Sequence, residues 1–259
     1  MRKYLLLVSV VSLLFSCKSI KTNKTGEPWV NLLEGNSLKN WTVKIRNHKA
    51  GENYKNTFRV KDGVLAVNYG EYEKFDDSFG HIFYNKEYSN YKFRMDYRFI
   101  GDQIEGGAAW ALRNSGIMIH CEAPENMGLQ QKFPVSIEVQ LLGGNGTDER
   151  PTANVCTPGT HVDIDGKQDK THCITSSSET FHGEQWVHIE IEVRNSEIVS
   201  HKINGKEVLS YTNTVLGGAV DANKTYWKNK EGELLKKGYI SLQSESHPIE
   251  FKNIQILEL

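Results

Sequence analysis

Apolar and polar residues alternate without interruption over residues 91–99, and this alternation constrains the possible folds more than any other feature of the sequence. Successive side chains of a strand point to opposite faces, so this segment is predicted to form a strand with one apolar and one charged face. Residues 186–193 repeat the pattern, while Asp62-Gly63 and Asn204-Gly205 are typical hairpin turns. Short helices are expected at most near residues 31–38 and 124–131. Many short strands joined by such turns indicate an all-β sandwich or jelly roll.

The first 17 residues have the pattern of a lipoprotein signal peptide. Arg2 and Lys3 precede an apolar run over residues 5–15 that is too short to span a bilayer, and Ser16-Cys17 stands where cleavage is expected. We expect Cys17 to be lipidated; the alternative is a plain signal peptide with an incidental cysteine. Residues 18–27 are predicted to be a polar tether and residues 28–259 a single domain. The expected location is the cell envelope of a Gram-negative bacterium, facing the periplasm.

Composition and motifs exclude several classes of protein. Lys and Arg total 31 against 32 Asp and Glu, interspersed along the chain, so no nucleic-acid partner is expected. The sequence contains no HExxH motif, P-loop, dinucleotide-binding glycine pattern or nucleophile elbow, and no nucleotide cofactor is therefore expected.

Export would place the three remaining cysteines in an oxidising compartment. Cys156 and Cys173 bracket a loop rich in Gly, Asp, Thr and Pro, which has few apolar residues to hold it in place. A disulfide between them would stabilise the fold by roughly 3 kcal/mol in the chain-entropy model. Of the three pairings that three cysteines allow, this one is favoured. Alternation turns Cys121 toward the apolar face, where we expect a buried free thiol.

The strongest candidates for a functional site lie on two further alternating segments, residues 113–120 and 136–142. Glu138 and Gln140 share the polar face of the second segment, and Met118 and His120 share the corresponding face of the first. Carboxylate, amide and imidazole groups on one face can bind sugars and transfer protons. An ordinary solvent-exposed sheet face is the alternative.

Tryptophans and a small acidic cluster are secondary candidates. Trp110 and Trp227 lie in Gly-rich or polar segments and could stack on sugar rings, whereas Trp186 opens a core strand and is expected to pack. If residues 161–165 form a strand, His161, Asp163 and Asp165 share a face that could hold a divalent cation. An ordinary turn at Asp165 and the following glycine is the alternative.

Six motifs occur in the order in which they occur in a known family: residues 32–41 (LLEGNSLKNW), 58–65 (FRVKDGVL), 114–117 (NSGI), 137–142 (IEVQLL), 238–243 (GYISLQ) and 249–254 (IEFKNI). The chain resembles the 3-keto-disaccharide hydrolase domain family, formerly a domain of unknown function. The resemblance covers nearly all of the chain after the tether. The chain departs from the family pattern after Gln140. Many members carry an Asp and a Gly-Ala-x-Tyr element there, whereas this chain continues into the cysteine-bracketed loop.

The resemblance implies a concanavalin- or laminin-G-like jelly roll of two curved antiparallel sheets. It also implies a small oxidised glycoside as substrate: a 3-keto-glycoside whose glycosidic bond is cleaved by C2 deprotonation, β-elimination and hydration. Glu138 is then the candidate base and His120 its rival. Substrate contacts are expected from Arg113, Asn114, Ser115, Gln140, Gln243 and Trp110.

Two other functions remain open at this point. Jelly rolls also serve as non-catalytic carbohydrate-binding modules, which would line the face with aromatic rather than titratable residues. A conventional glycoside hydrolase would need a second carboxylate near Glu138, for which Glu122, Glu149 and Glu245 are candidates. A divalent cation is the one cofactor that the sequence leaves open.

Overall fold

The computed structural model describes residues 28–218, 227 and 229–259. The signal peptide and tether expected over residues 1–27 lie outside these described residues. None of the helices in the described part of the chain has the length and apolar character needed to cross a bilayer.

The described residues form two antiparallel sheets of ten and seven strands. In spatial order the main path of the larger sheet is β11 (Lys167–Asp169), β10 (Thr160–Ile164), β15 (Lys206–Leu216), β14 (Ile198–Ile203), β13 (Val187–Arg194), β6 (Asn90–Phe99), β17 (Ile249–Glu258), β4 (Val64–Val67) and β3 (Phe58–Lys61), with β1 (Val30–Asn31) paired to β17. The smaller sheet runs β12 (Cys173–Ile174), β9 (Asn154–Cys156), β8 (Ile137–Leu142), β7 (Asn114–Cys121), β16 (Tyr239–Ser244), β5 (Gly80–Tyr84) and β2 (Trp41–Ile45).

The core lies between the two sheets and is built from the alternating residues. Along β6, Tyr91, Phe93, Met95, Tyr97 and Phe99 are all buried, as predicted. The smaller sheet supplies the facing layer, which includes Ile45, Ile82, Ile117, Val139, Val155 and Leu242. Burial of this apolar surface is the main stabilising contribution to the fold. The all-β jelly-roll prediction is therefore confirmed.

The predicted hairpin turns are confirmed, whereas neither of the two segments where at most a short helix was expected contains one. Asp62 and Gly63 connect β3 to β4, and Asn204 and Gly205 connect β14 to β15, with positive φ at all four residues. Of residues 31–38, Asn31 belongs to β1 and the rest form turns, with an isolated bridge between Glu34 and Ser37. Residues 124–131 also form turns. Short 3-10 turns occur at Tyr54–Asn56 and Ala109–Ala111.

The last two strands, β16 and β17, each fill an interior position, one in each sheet. Strand β16 lies between β7 and β5 in the smaller sheet, and β17 lies between β6 and β4 in the larger one. Residues that follow β16 are therefore held against the middle of the smaller sheet.

Candidate active site

The face of the smaller sheet that points away from the core carries polar side chains and is called the outer face here. Lys44, His81 and Gln243 are directly opposite one another on β2, β5 and β16. Residues opposite one another in an antiparallel pair share a face, so these three side chains form a row. All three are buried. Both ring nitrogens of His81 and both amide atoms of Gln243 lack a hydrogen-bond partner among the described residues.

A cavity of about 340 Å³ opens beside this row. Strands β7, β8, β9 and β12 and the segment after β16 contribute to it, together with loops that fold over the sheet. Its lining consists of Trp110, Asn114, Phe133, Glu138, Gln140, Cys156, Pro158, His172, Cys173 and Glu245. Polar groups are thus brought together with aromatic and apolar walls, an arrangement typical of small-molecule sites.

Part of the wall is the disulfide between Cys156 and Cys173, whose S–S distance is 2.07 Å. The two residues are directly opposite one another on β9 and β12, and Cys156 is in turn opposite Glu138 on β8. The predicted pairing is confirmed. The bond ties the loop that it closes to the sheet beside the candidate base.

Glu138 lines the cavity from β8, on the sheet that forms the cavity floor. It is 8% exposed, and burial raises the pKa of its carboxyl group to about 8. Space for the side chain comes from Gly116 on the neighbouring strand, where a Cβ atom would lie 2.7 Å from Oε1 of Glu138. The carboxyl group therefore lies over β7 and toward β16, rather than directly above its own strand.

Glu245 is the second carboxyl group of the cavity. It follows β16, is 3% exposed, and its Oε2 atom has no hydrogen-bond partner among the described residues. Burial raises the pKa of Glu245 well above its ordinary value, and the charge of Glu138 raises it further. Of the three carboxylates considered as partners for Glu138, the structure brings only this one into the cavity lining described here.

The other two carboxylates have different surroundings. Glu122 is buried outside the cavity, where Oε1 accepts hydrogen bonds from Nε2 of Gln131 and the backbone N–H of Val135. Its Oε2 atom accepts a hydrogen bond from Nε1 of Trp227. Glu149 is exposed.

Two of the three amides of the predicted set, Asn114 and Gln140, line the cavity. Asn114 is buried in the cavity floor, and its Oδ1 atom has no hydrogen-bond partner among the described residues. Oε1 of Gln140 accepts a 3.0 Å hydrogen bond from Nδ2 of Asn154, which fixes the orientation of the Gln140 amide. Gln243 is buried on the same face, beyond the residues that line the open part of the cavity.

Trp110 stands at the cavity mouth with 56% of its surface exposed. Its ring is parallel to that of Phe79, with centroids 6.1 Å apart. An exposed ring held flat in this way is suited to stacking on a sugar. Trp227, the other candidate for ligand contact, lines a different pocket. Trp186 packs beneath the side chains of Arg98 and Lys252.

His120 does not lie where alternation placed it. The ladder between β7 and β16 is irregular here, and His120 has a positive φ of 49°. The irregularity turns the imidazole away from Met118, and Nε2 lies 2.9 Å from the carbonyl oxygen of Asn195. Burial lowers the pKa of His120 to about 4. His120 is therefore separated from Glu138 and does not line the described cavity.

The same irregularity moves Cys121 to the outer face, where it packs with Phe83 and Met118 rather than in the main core. The prediction of its face was wrong, but that of a buried free thiol is confirmed. Burial raises the pKa of the Cys121 thiol well above its ordinary value.

Two of the expected donors are also displaced from the described cavity lining. Ser115 is on the core-facing side of β7, where its hydroxyl group donates to the carbonyl oxygen of Gln243. Arg113 has a positive φ of 45°, and its Nη1 atom donates to the carbonyl oxygen of Gly183. Neither side chain is placed to contact a ligand beside Glu138.

The weak metal candidates do not form a site. Within the described residues, no group of three or more His, Cys, Asp or Glu side chains is arranged to hold a metal ion. His161 and Asp163 are on β10, but Asp165 lies in the turn after it, with a positive φ of 50°. Oδ2 of Asp163 accepts a hydrogen bond from Nδ2 of Asn213.

Sequence reasoning missed several residues of this face. His81 is opposite Gln243, and the short alternating segment around it would have indicated this face. Glu245, by contrast, was named as a candidate second carboxylate, and it lies two residues beyond Gln243, in step with the alternation. Phe133 and His172 come from loops that fold over the sheet, and no periodic pattern marks them.

Comparison with solved structures identifies similar folds. Two candidate glycosyl hydrolases from Parabacteroides distasonis are each 20% identical to this chain. The match to one of them covers 90% of this chain and 100% of that chain, with a TM-score of 0.54. The match to the other covers 93% of this chain and 98% of that chain, with a TM-score of 0.56. A LamA variant from Zobellia galactanivorans in complex with laminaritriose and laminaritetraose is 9% identical, over 89% of this chain and 97% of that chain, with a TM-score of 0.50. At these identities the likeness shows the fold alone.

Family membership rests on the sequence comparison. Among curated proteins, none matches the chain. The family model described as the 3-keto-alpha-glucoside-1,2-lyase-like domain matches residues 28–257, which confirms the resemblance drawn from the six motifs. The chain therefore belongs to the family of 3-keto-alpha-glucoside-1,2-lyase-like domains.

Proposed function

We propose that this protein cleaves 3-keto-glycosides by removing the C2 proton of the oxidised sugar, with Glu138 as the base. The C3 ketone acidifies the C2 hydrogen, so a carboxylate can abstract it. The resulting enolate expels the C1 substituent, and water then adds to the C1–C2 double bond. The net result is hydrolysis of the glycosidic bond.

The observation that carries this proposal is the buried carboxyl group of Glu138 at the floor of a ligand-sized cavity. Burial raises its pKa, and a carboxylate with a raised pKa is a stronger base than an exposed one. Abstraction of a carbon-bound proton needs such a base, because the C2 hydrogen remains a weak acid even beside a ketone.

Neighbouring groups fit an oxidised sugar. The Asn114 and Gln140 side chains line the cavity beside Glu138 and can hold hydroxyl or ketone oxygens. Trp110 offers a flat exposed ring at the mouth, against which a sugar face or an aglycone can stack. The family match supports the same class of substrate.

One observation favours a second candidate, conventional glycoside hydrolysis. Glu245 lines the same cavity as Glu138, and glycosidases of that kind use two carboxyl groups across the scissile bond. Such an enzyme would act on unoxidised glycosides and would need no proton removal at C2.

The purified domain should be incubated separately with a 3-keto-glycoside and with its unoxidised parent, while aglycone release is measured. Our proposal predicts release from the oxidised substrate only. Deuterium from heavy water should also enter C2 of the released 3-keto-sugar, because water returns a proton there. Cleavage of the parent glycoside would instead favour two-carboxylate hydrolysis. Binding of sugars without cleavage of either compound would indicate a carbohydrate-binding module.

A further inference from the structure

Glu245 has no role in the deprotonation step, yet it occupies the same cavity as the base. Its side chain is almost completely buried, and Oε2 has no hydrogen-bond partner among the described residues. Leaving a buried carboxyl oxygen without a partner is costly, which is why such atoms are usually paired. An unpaired oxygen at the wall of a ligand-sized cavity is explained if a bound ligand supplies the missing hydrogen bond.

The position of Glu245 relative to Glu138 suggests which ligand atom that is. Glu138 extends over Gly116 toward β16, the strand that Glu245 follows. The two carboxyl groups are close enough for their charges to interact. Two buried carboxylates so placed repel each other, so one of them retains a proton. A sugar whose C2 hydrogen faces one carboxyl group carries its leaving oxygen on the adjacent carbon, C1, two bonds from C2, and Glu245 lines the same cavity as Glu138.

We propose that Glu245 is a second catalytic residue, the general acid that protonates the leaving oxygen at C1. This inference rests on the proposed cleavage of 3-keto-glycosides. Ionised Glu138 takes the C2 proton, and the electron pair of the C–H bond passes into the enolate of the C3 ketone. That electron pair then forms the C1–C2 double bond. The C1–O bond breaks with its electrons on oxygen, which takes the proton of the Glu245 carboxyl group. The products are an unsaturated 3-keto-sugar and a neutral alcohol, with Glu138 protonated and Glu245 ionised.

The arrangement also explains how the site is restored. One proton is present on the carboxyl pair before the reaction and one after it, but on the opposite partner. Transfer of that proton from Glu138 to Glu245, directly or through water, returns the starting state without net uptake or release. The step is redox-neutral and therefore needs no oxidant or reductant.

The test uses Glu245→Gln with two 3-keto-glucosides that differ in leaving group. A disaccharide releases a poorly acidic alcohol and needs a general acid, whereas a 4-nitrophenyl glucoside releases an acidic phenol and does not. We expect disaccharide cleavage to fall on the order of a hundredfold or more and nitrophenol release to fall by less than about tenfold. Glu149→Gln, which removes an exposed carboxylate, should leave both rates unchanged.

Hydrogen exchange separates this inference from the proposed function. In heavy water, Glu245→Gln should still incorporate deuterium at C2 of the uncleaved disaccharide, because Glu138 is intact. If Glu245→Gln slowed the cleavage of both substrates equally, or lost hydrogen exchange at C2, the role of Glu245 as general acid would be overturned and the proposed function would not. A wild-type protein that neither cleaves nor exchanges the oxidised substrate would overturn the proposed function itself.

A measurement on the wild type keeps the test decisive if the variant is poorly folded. Across a series of aryl 3-keto-glucosides, an enzyme that protonates the leaving oxygen should show cleavage rates that depend only weakly on phenol acidity. A steep dependence in the wild-type protein would contradict the inference.

Discussion

Gly116 lies directly beneath the carboxyl group of Glu138, and a Cβ atom at position 116 would be 2.7 Å from Oε1 and 2.8 Å from Cγ. Real Cβ atoms essentially never approach other atoms so closely. The glycine is thus what allows the candidate base to lie across the neighbouring strand.

Gly116→Ala should therefore displace Glu138 and reduce activity while the fold persists. A misplacement of about 1 Å can cost on the order of a hundredfold in rate, so we expect a loss of roughly that size in kcat. Gly128→Ala is the matched control, because a Cβ atom there meets its nearest neighbour at 3.8 Å. The relevant measurements are kcat on a 3-keto-glycoside and circular dichroism. An unchanged kcat in Gly116→Ala would show that the position of Glu138 is not critical.

Glu138→Gln keeps the shape of the side chain and removes the base. Loss of a general base typically costs about a hundredfold or more, which should appear in kcat/KM. In the wild type, kcat/KM should rise with pH as Glu138 ionises around its pKa of about 8, and should fall at higher pH once Glu245 has also lost its proton. His120→Asn tests the rival base. Since His120 contacts Asn195 rather than the cavity, we expect its kcat to remain near that of the wild type. The reverse pattern, with His120→Asn inactive and Glu138→Gln active, would overturn the assignment.

The buried carboxyl groups should lower stability as pH rises from their ordinary pKa of 4.5 toward the raised values of the folded protein. Their pKa values are raised in the folded protein, so the folded state binds protons more tightly than the unfolded chain and loses stability as pH rises. Between pH 7 and 8, Glu245→Gln should reduce the slope of the unfolding free energy against pH by at most about 1.4 kcal/mol per pH unit. Urea unfolding at several pH values measures it. A slope equal to that of the wild type would mean that Glu245 is not held protonated.

Below pH 6 the opposite dependence should dominate. Burial lowers the pKa of His81 to about 3 and those of His120 and His201 to about 4, so these rings are neutral in the folded protein. The unfolded chain binds protons near the ordinary histidine value of 6.5, and stability is therefore lost as pH falls from that value toward 4. Replacing His201 with Gln should make the acid side of the stability curve less steep.

Removal of the disulfide should weaken both the fold and the cavity wall. Cys156→Ala/Cys173→Ala leaves the intervening loop without its covalent closure, and a loop of this length is worth roughly 3 kcal/mol. We expect a matching loss in the free energy of unfolding, together with proteolytic cleavage between the two positions. Mass mapping under non-reducing conditions should link the peptides that contain them. A link to Cys121 instead would contradict the structure.

For the N-terminus, we propose a lipid anchor at Cys17, on the sequence pattern alone. Cys17→Ala should release the protein from membranes into the soluble exported fraction, because the thiol is the lipid acceptor. Fractionation of cells that express the wild type and the variant measures this. A variant that still sediments with membranes would exclude the anchor.

Much of the fold follows from local pattern, because alternation and tight turns are short-range signals. The alternating strand β6 and the two glycine hairpins could be assigned from neighbouring residues alone. Alternation failed at His120, where an irregular ladder shifts the register in a way that no local pattern marks. One shifted residue moved both the rival base and Cys121 to other faces.

The site was predictable in part for the same reason. Glu138, Gln140 and Asn114 reach the cavity because they occupy regular positions on strands. Phe133 and His172 could not be assigned, since their places depend on how loops fold back over a sheet made of distant segments. Glu245 could be named as a candidate, but only the pairing of β16 with β7 brings it to Glu138.

The interior positions of β16 and β17, one in each sheet, have a consequence for how the protein is made. Until Tyr239–Ser244 has been synthesised, β7 and β5 have no strand between them, and β6 and β4 likewise await Ile249–Glu258. Four strands would expose unpaired backbone edges, which invite association with other chains. Folding of either sheet must then wait for nearly the whole polypeptide, and the contacts that close it join residues far apart in sequence, which slows the reaction. A chain halted shortly before Tyr239 would be an aggregation-prone fragment rather than a smaller version of the domain.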